Sequence, residues 1–120
     1  MRARYLLAVC AVFVAWLAAQ TPAVDGKSLF DKRCGGCHAL DRDKEGPRLG
    51  GVYGRQAGSV PSFEYSAALK NSKIRWTAET LDQWLTNPEA LVPGNDMTFH
   101  VERADERSAI IDWLKRSREN

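Results

Sequence analysis

Two cysteines three positions apart, with a histidine directly after the second, constrain this chain more than any other feature: Cys34-Gly35-Gly36-Cys37-His38. C-x-x-C-H is the attachment motif for a c-type haem. Two thiols at that spacing can each form a thioether to one vinyl group on a porphyrin edge. The adjacent imidazole is then held beneath the iron as proximal ligand. Gly35 and Gly36 set no side chain against such a ring. A lone CxxC can also be a structural disulfide, half of a zinc site or a thioredoxin-like redox pair. Zinc needs four ligands, and beyond its first residues the chain offers only Cys34, Cys37, His38 and the distant His100. A thioredoxin-like pair needs a βαβ setting that the sequence lacks.

The N-terminus reads as an export signal. Met1-Arg2-Ala3-Arg4 is basic, residues 5–19 carry no charge, and small residues follow at Ala18, Ala19 and Ala23. This is the order of a secretory signal peptide, and the apolar run of residues 5–19 is shorter than the roughly 20 apolar residues of a spanning helix. Cys10 lies inside the apolar run rather than at its end, so it does not read as a lipid-attachment site. Cleavage is expected between about residues 19 and 23, giving a signal peptide over 1–23 and a single domain over 24–120. Arg2 and Arg4 account for the whole formal charge of +2, so the exported domain is formally neutral. That balance excludes a generic nucleic-acid binder. A composition 44% hydrophobic and 27% charged excludes disorder and a polytopic membrane protein.

The domain reads as all-α, with helices joined by long loops. Residues 25–33 form a candidate helix with Leu29 and Phe30 on its apolar side. Residues 41–61 carry Gly46, Gly50, Gly51, Gly54 and Gly58 with Pro47 and Pro61, the composition of a loop. A short helix fits 66–70. Thr77 reads as an N-cap, followed by Glu79 in the first turn and a buried face of Leu81, Trp84 and Leu85. Pro88 permits another short turn of helix before the Pro93-Gly94 break. In the last segment Arg107, Ile110, Ile111 and Leu114 fall at i, i+3, i+4 and i+7. Its early acids Asp105 and Glu106 and late bases Lys115 and Arg116 suit the helix dipole. A loop of some twenty residues is uncommon in so small a domain, which buries only about two-thirds of its unfolded surface. A large apolar cofactor resolves the difficulty, because the loops can fold over it.

A distal ligand follows by elimination. Apart from His38, residues 24–120 contain one Met and one His, Met97 and His100. A lone Met is ordinarily core filler. Met97, however, follows the turn Pro93-Gly94-Asn95-Asp96, which can carry a thioether to the far side of a flat cofactor. His100 reads as a loop histidine. A Met thioether favours ferrous iron more than a second imidazole does.

The whole of the domain resembles class I cytochrome c, the monohaem type of mitochondria and bacterial periplasm. Gly26 and Phe30 are similar to the family's first helix, which packs on the last helix near Trp113. Gly46-Pro47-Arg48-Leu49 resembles the segment whose proline carbonyl accepts a hydrogen bond from the proximal imidazole, so the resemblance makes Pro47 the orienter of His38. Gly54-Arg55-Gln56-Ala57-Gly58, Tyr65 and Trp76 are similar to the residues that enclose the haem propionates. Asn87-Pro88 and Pro93-Gly94-Asn95-Asp96-Met97 resemble the approach to the axial methionine. Three residues depart from the family. Trp84 stands where it usually has Tyr, so the phenol contact near the axial sulfur should be missing. Asn95 replaces the usual Thr, and Asp96 the usual Lys.

The resemblance implies a monomeric single-electron carrier with one covalent haem c, bound by Cys34 and Cys37 and ligated by His38 and Met97. With six ligands retained, no position is open to a substrate, and an enzyme is not expected. The expected location is the periplasm, without stable membrane insertion. Partners would be redox proteins docking transiently: a cytochrome bc1-type donor and an oxidase or photosynthetic acceptor. With six lysines and a neutral domain, strong electrostatic steering is not expected. Two alternatives remain at this level: a haem peroxidase or gas sensor, or the dedicated electron acceptor of one periplasmic dehydrogenase.

Overall fold

The computed structural model describes residues 24–117, so the expected signal peptide lies outside the described residues. Among the described residues five helices follow in order: α1 (Gly26–Arg33), α2 (Ala67–Lys70), α3 (Ala78–Thr86), α4 (Pro88–Leu91) and α5 (Ala104–Arg116). Among the described residues there is no strand, only an isolated antiparallel bridge between Gln56 and Arg75. The all-α expectation holds.

The first four helices begin where a side chain supplies a cap, whereas α5 starts after Arg103 without one. The Asp25 carboxylate accepts from the Lys27 amide at 3.1 Å and from the Ser28 hydroxyl at 2.7 Å, satisfying a free N–H at the start of α1. Ser66 caps α2 by accepting from the Leu69 amide. Thr77 and Thr80 cap α3 reciprocally: each side-chain oxygen accepts from the other's amide, at 3.2 and 2.8 Å. Leu81, Trp84 and Leu85 form the buried face of α3, as the periodicity predicts. In α5 the buried positions are Ile110, Ile111 and Leu114. Arg107, the fourth position of that stripe, instead reaches Asp82 of α3 at 2.8 Å and the carbonyls of Val101 and Glu102.

The frame of the molecule is the crossing of α1 on α5. A Cβ on Gly26 would collide with the Ala109 carbonyl oxygen and lie 2.9 Å from Trp113 Cβ. Only a residue without a side chain permits this approach, and it lets Phe30 sink into the core at 5% exposure. Arg33 and Glu106 pair across the same crossing at 3.1 Å. Gly26→Ala must therefore separate the helices or bend one of them. Overpacking of this kind costs roughly 1–3 kcal/mol, which in a domain of this size lowers Tm by about 5–20 °C. Thermal unfolding of the haem-loaded protein measures it.

Residues 41–61 do form a loop, yet they are not peripheral. Val52, Ala57 and Val60 are buried. The loop is sewn to the segment before α3 by the bonds Gly54 N–H to Trp76 O at 2.6 Å, Trp76 N–H to Arg55 O at 2.9 Å and Ala57 N–H to Ile74 O at 2.7 Å. Loop, α3 and α5 thus share one core.

Candidate functional site

Cys34, Cys37 and His38 sit in the turn that leaves α1. The Cys37 and His38 amides both donate to the Cys34 carbonyl, at 3.1 and 2.8 Å, which curls the pentapeptide tightly. Both cysteines are free thiols, Cys34 partly buried and Cys37 exposed. Burial, with a smaller push from Cys37, raises the Cys34 thiol to about 11. A redox-active CxxC lowers a thiol pKa instead, so the thioredoxin-like alternative finds no support. Nor does zinc: among the described residues no three His, Cys, Asp or Glu side chains gather as a metal site.

His38 is fixed from two sides. Its Nδ1 lies 2.8 Å from the Pro47 carbonyl oxygen, so Nδ1 carries the proton and Nε2 keeps its lone pair. Gly46 lies flat on the ring, where a Cβ would strike Cε1 and stand 2.6 Å from Nδ1. This strand of backbone is tied down by Gly46 N–H to Cys37 O, Leu49 N–H to Ala39 O and Gly50 N–H to Leu40 O, all within 2.9 Å. Burial lowers the imidazole pKa against an opposing effect of the Pro47 bond. A neutral imidazole with a free Nε2 is the form that binds metals.

The residues expected around the propionates are partly engaged with one another. Arg55 donates to the carbonyls of Arg48 and Gly50 at 2.9 and 3.2 Å. The Tyr65 hydroxyl accepts from the Val60 amide at 3.1 Å, which leaves its own proton to donate elsewhere, and burial raises its pKa. Trp76 is buried at 7% exposure and meets Trp84 edge to face, with centroids 5.3 Å apart. Sequence reasoning missed Asp43. Its carboxylate accepts from the Arg48 amide at 2.9 Å and the Ser62 hydroxyl at 2.6 Å, clamping the two limbs of the long loop. The Ser62 bond, foremost, holds its pKa below the ordinary value.

The Met97 loop is held just as closely. The Glu89 carboxylate accepts from the Gly94 amide at 3.1 and 3.2 Å, and Asn95 donates to the Val92 carbonyl at 2.8 Å. Asn95 Oδ1 accepts from the Met97 amide at 2.7 Å. Met97 Sδ accepts from the Trp84 indole at 3.2 Å. The phenol is indeed absent, but an indole N–H stands in its place. His100 is exposed and shares with Met97 the lining of an open hollow of about 420 Å³.

These residues fit a covalently held haem. Two unpaired thiols and an imidazole with a vacant Nε2 sit in one turn, a cradle at Gly46 excludes any side chain, and a thioether sulfur is fixed on a rigid loop. The comparisons with known proteins agree. The cytochrome c family model matches residues 23–117. The chain belongs to the cytochrome c family. It is 44% identical over 93 residues to "Cytochrome c type-1" of Ascaris suum, covering 75% of this chain and 83% of the relative. It is 35% identical over 105 residues to cytochrome c of Nigella damascena, covering 82% and 95%. Among solved structures, cytochrome cH from Methylobacterium extorquens superposes with a TM-score of 0.72 at 35% identity, over 78% of this chain and 96% of that one. As a cytochrome c the protein carries a covalent c-type haem, transfers electrons and is not an enzyme. Among the described residues no helix is long and apolar enough to cross a membrane.

Proposed function

We propose that this cytochrome c is a periplasmic single-electron shuttle, with Cys34 and Cys37 as thioether sites and His38 and Met97 as axial ligands. One observation carries the reading: each proposed ligand is fixed by a partner that leaves one coordinating lone pair over. Pro47 engages His38 at Nδ1 and leaves Nε2. Trp84 engages one of the two sulfur lone pairs of Met97. When bound, the haem iron supplies a ferric/ferrous one-electron couple.

The chain does the rest by position. Pro47 and Gly46 hold the imidazole in one tautomer and one plane. Glu89, Asn95 and Trp84 keep the sulfur in place, so ligation need not change when the electron arrives or leaves. Arg55, Tyr65 and Trp76 are proposed to enclose the propionates. Val52, Leu81, Leu85 and their buried neighbours exclude water, which lowers the local dielectric and the reorganisation accompanying charge change. Cys37, at the surface, puts one edge of the attached group where a partner can approach. Residues 1–23 support export to a bacterial periplasm. Donor and acceptor are proposed as a cytochrome bc1-type complex and an oxidase or photosynthetic centre, or a single dehydrogenase, each met in a small transient contact. The domain is proposed to act as a monomer.

Voltammetry and intact-mass measurement of the periplasmic fraction test this. A single reversible one-electron wave is expected, with a polypeptide starting between Gln20 and Val24 and bearing one haem. Two redox centres would overturn the single-shuttle reading, and a retained Met1 would overturn export.

A further inference from the structure

Asp43 ties the long loop together with one carboxylate, and one of its two bonds reaches the proximal side of the site. Its Oδ1 accepts from the Arg48 amide at 2.9 Å. That N–H belongs to the same peptide group as the Pro47 carbonyl, whose oxygen accepts from His38 Nδ1 at 2.8 Å. A trans peptide is planar, with its C=O and N–H pointing in opposite directions. His38 and Asp43 therefore hold the two ends of one rigid group. The carboxylate itself has little freedom. Its Oδ2 accepts from the Ser62 hydroxyl at 2.6 Å, and Arg48 Nη1 donates to the same Ser62 oxygen at 3.4 Å. On the imidazole side Gly46 lies against the ring, and its amide donates to the Cys37 carbonyl at 2.8 Å.

Hydrogen bonds in a chain polarise one another, and a bond to a carboxylate is stronger than one to a neutral acceptor. A negative charge at the N–H end pushes electron density through the amide onto the Pro47 oxygen. That oxygen then pulls harder on the Nδ1 proton, and Nε2 becomes a more basic donor. The charge is present at neutral pH: the Ser62 bond first, then the Arg48 amide and the nearby Arg48 and Arg55 guanidinium groups, keep the carboxyl ionised. Tyr65 is a further titratable neighbour. We infer that Asp43 is a positioning residue for the proximal imidazole: through the Pro47–Arg48 peptide it fixes the plane of His38 and raises the basicity of Nε2. A more basic imidazole stabilises ferric iron over ferrous, so Asp43 opposes the preference of the thioether on the other side. The inference rests on His38 as ligand.

Two variants of the haem-loaded protein separate this relay from mere bracing of the loop. In Asp43→Asn the side-chain oxygen can still accept from the Arg48 amide and its NH2 can donate to Ser62, so the clamp stays and the charge goes. Asp43→Ala loses both. The reduction potential should rise in each. The His38 Nδ1 proton, followed by nuclear magnetic resonance in the ferrous state, should move upfield in Asp43→Asn with its exchange rate unchanged. In Asp43→Ala it should exchange with solvent about tenfold faster. Asp41→Asn removes the same charge two residues away, from an exposed pair with Arg42, and should alter neither quantity. An Asp43→Asn protein with the unmutated potential and Nδ1 resonance would overturn the relay, as would an equal change in Asp41→Asn. Should the Asp43 variants fold poorly, the unmutated protein still decides. By linkage, the Asp43 carboxyl resonance should titrate at lower pH in the ferric protein than in the ferrous, and equal titrations overturn the proposal. Absence of haem ring-current shifts from the His38 ring protons would instead reject His38 as the ligand, and the relay with it.

Discussion

Replacing Cys34 and Cys37 together by serine is expected to leave almost no stable haem-loaded protein. The unmutated chain should keep its haem through denaturation and acid–acetone extraction. The reason lies in the fold as much as in the chemistry. Five short helices and a loop that carries Val52, Ala57 and Val60 form a domain of the size at which burial of apolar surface is marginal. A group joined by two covalent bonds cannot dissociate, so its binding energy remains available to the folded state at any dilution. Without the thioethers, retention depends on free haem concentration, as for any ligand that binds only the native state. Single replacements should fall between the extremes, each keeping one bond. Pyridine haemochrome spectra and intact mass after extraction measure all four chains. Complete release of haem from the unmutated protein would reject the covalent assignment at Cys34 and Cys37.

How much of this could be read from residues alone depended on sequence distance. Cys34, Cys37 and His38 were legible because their spacing is itself the chemistry. Helices α3 and α5 were legible because each carries its signals within a few residues: the Thr77 cap before Leu81, Trp84 and Leu85, or the first-turn acid Asp105 before Ile110, Ile111 and Leu114. Pro47, nine residues from His38, came only through family resemblance. No helical or strand period links those positions. The Asp43–Ser62 clamp spans nineteen residues and left no signal, since an aspartate and a serine in a polar loop look like any solvated pair. Trp84 was singled out as a departure and read as a lost phenol contact. The phenol is missing as expected, but the indole supplies a donor from a larger ring, and only its distance to Met97 Sδ, thirteen residues on, reveals that. Arg107 completes the apolar stripe of α5 by position, but its guanidinium serves Asp82 and two carbonyls. Periodicity reports which face is inward, not what a charged group will do there.

Met97→Ala should convert the protein from a closed carrier to an open haem site. The thioether is a soft donor that favours ferrous iron, and water or a recruited histidine is not. The reduction potential should therefore fall, and carbon monoxide should bind the ferrous form readily. The substitution also removes the acceptor of the Trp84 N–H while leaving the loop's other ties, Glu89 to Gly94 and Asn95 to Val92, so the site should open without general unfolding. His100→Ala is the companion measurement. His100 is exposed and three residues past Met97, and its removal from otherwise unmutated protein should leave potential and spectrum unchanged. In the Met97→Ala background it has a second use, because a loop imidazole is the nearest nitrogen base in sequence able to fill the vacancy. The double variant should then bind carbon monoxide faster than Met97→Ala alone. Peroxide turnover should rise in the same order: low in unmutated protein, where the sulfur must leave first, higher in Met97→Ala and highest in the double variant. Rapid carbon monoxide binding by unmutated ferrous protein at neutral pH would mean that the sixth position is already open. The loop restraints around Met97 would then serve something other than ligation, and a peroxidase or gas sensor would be the better reading of the site.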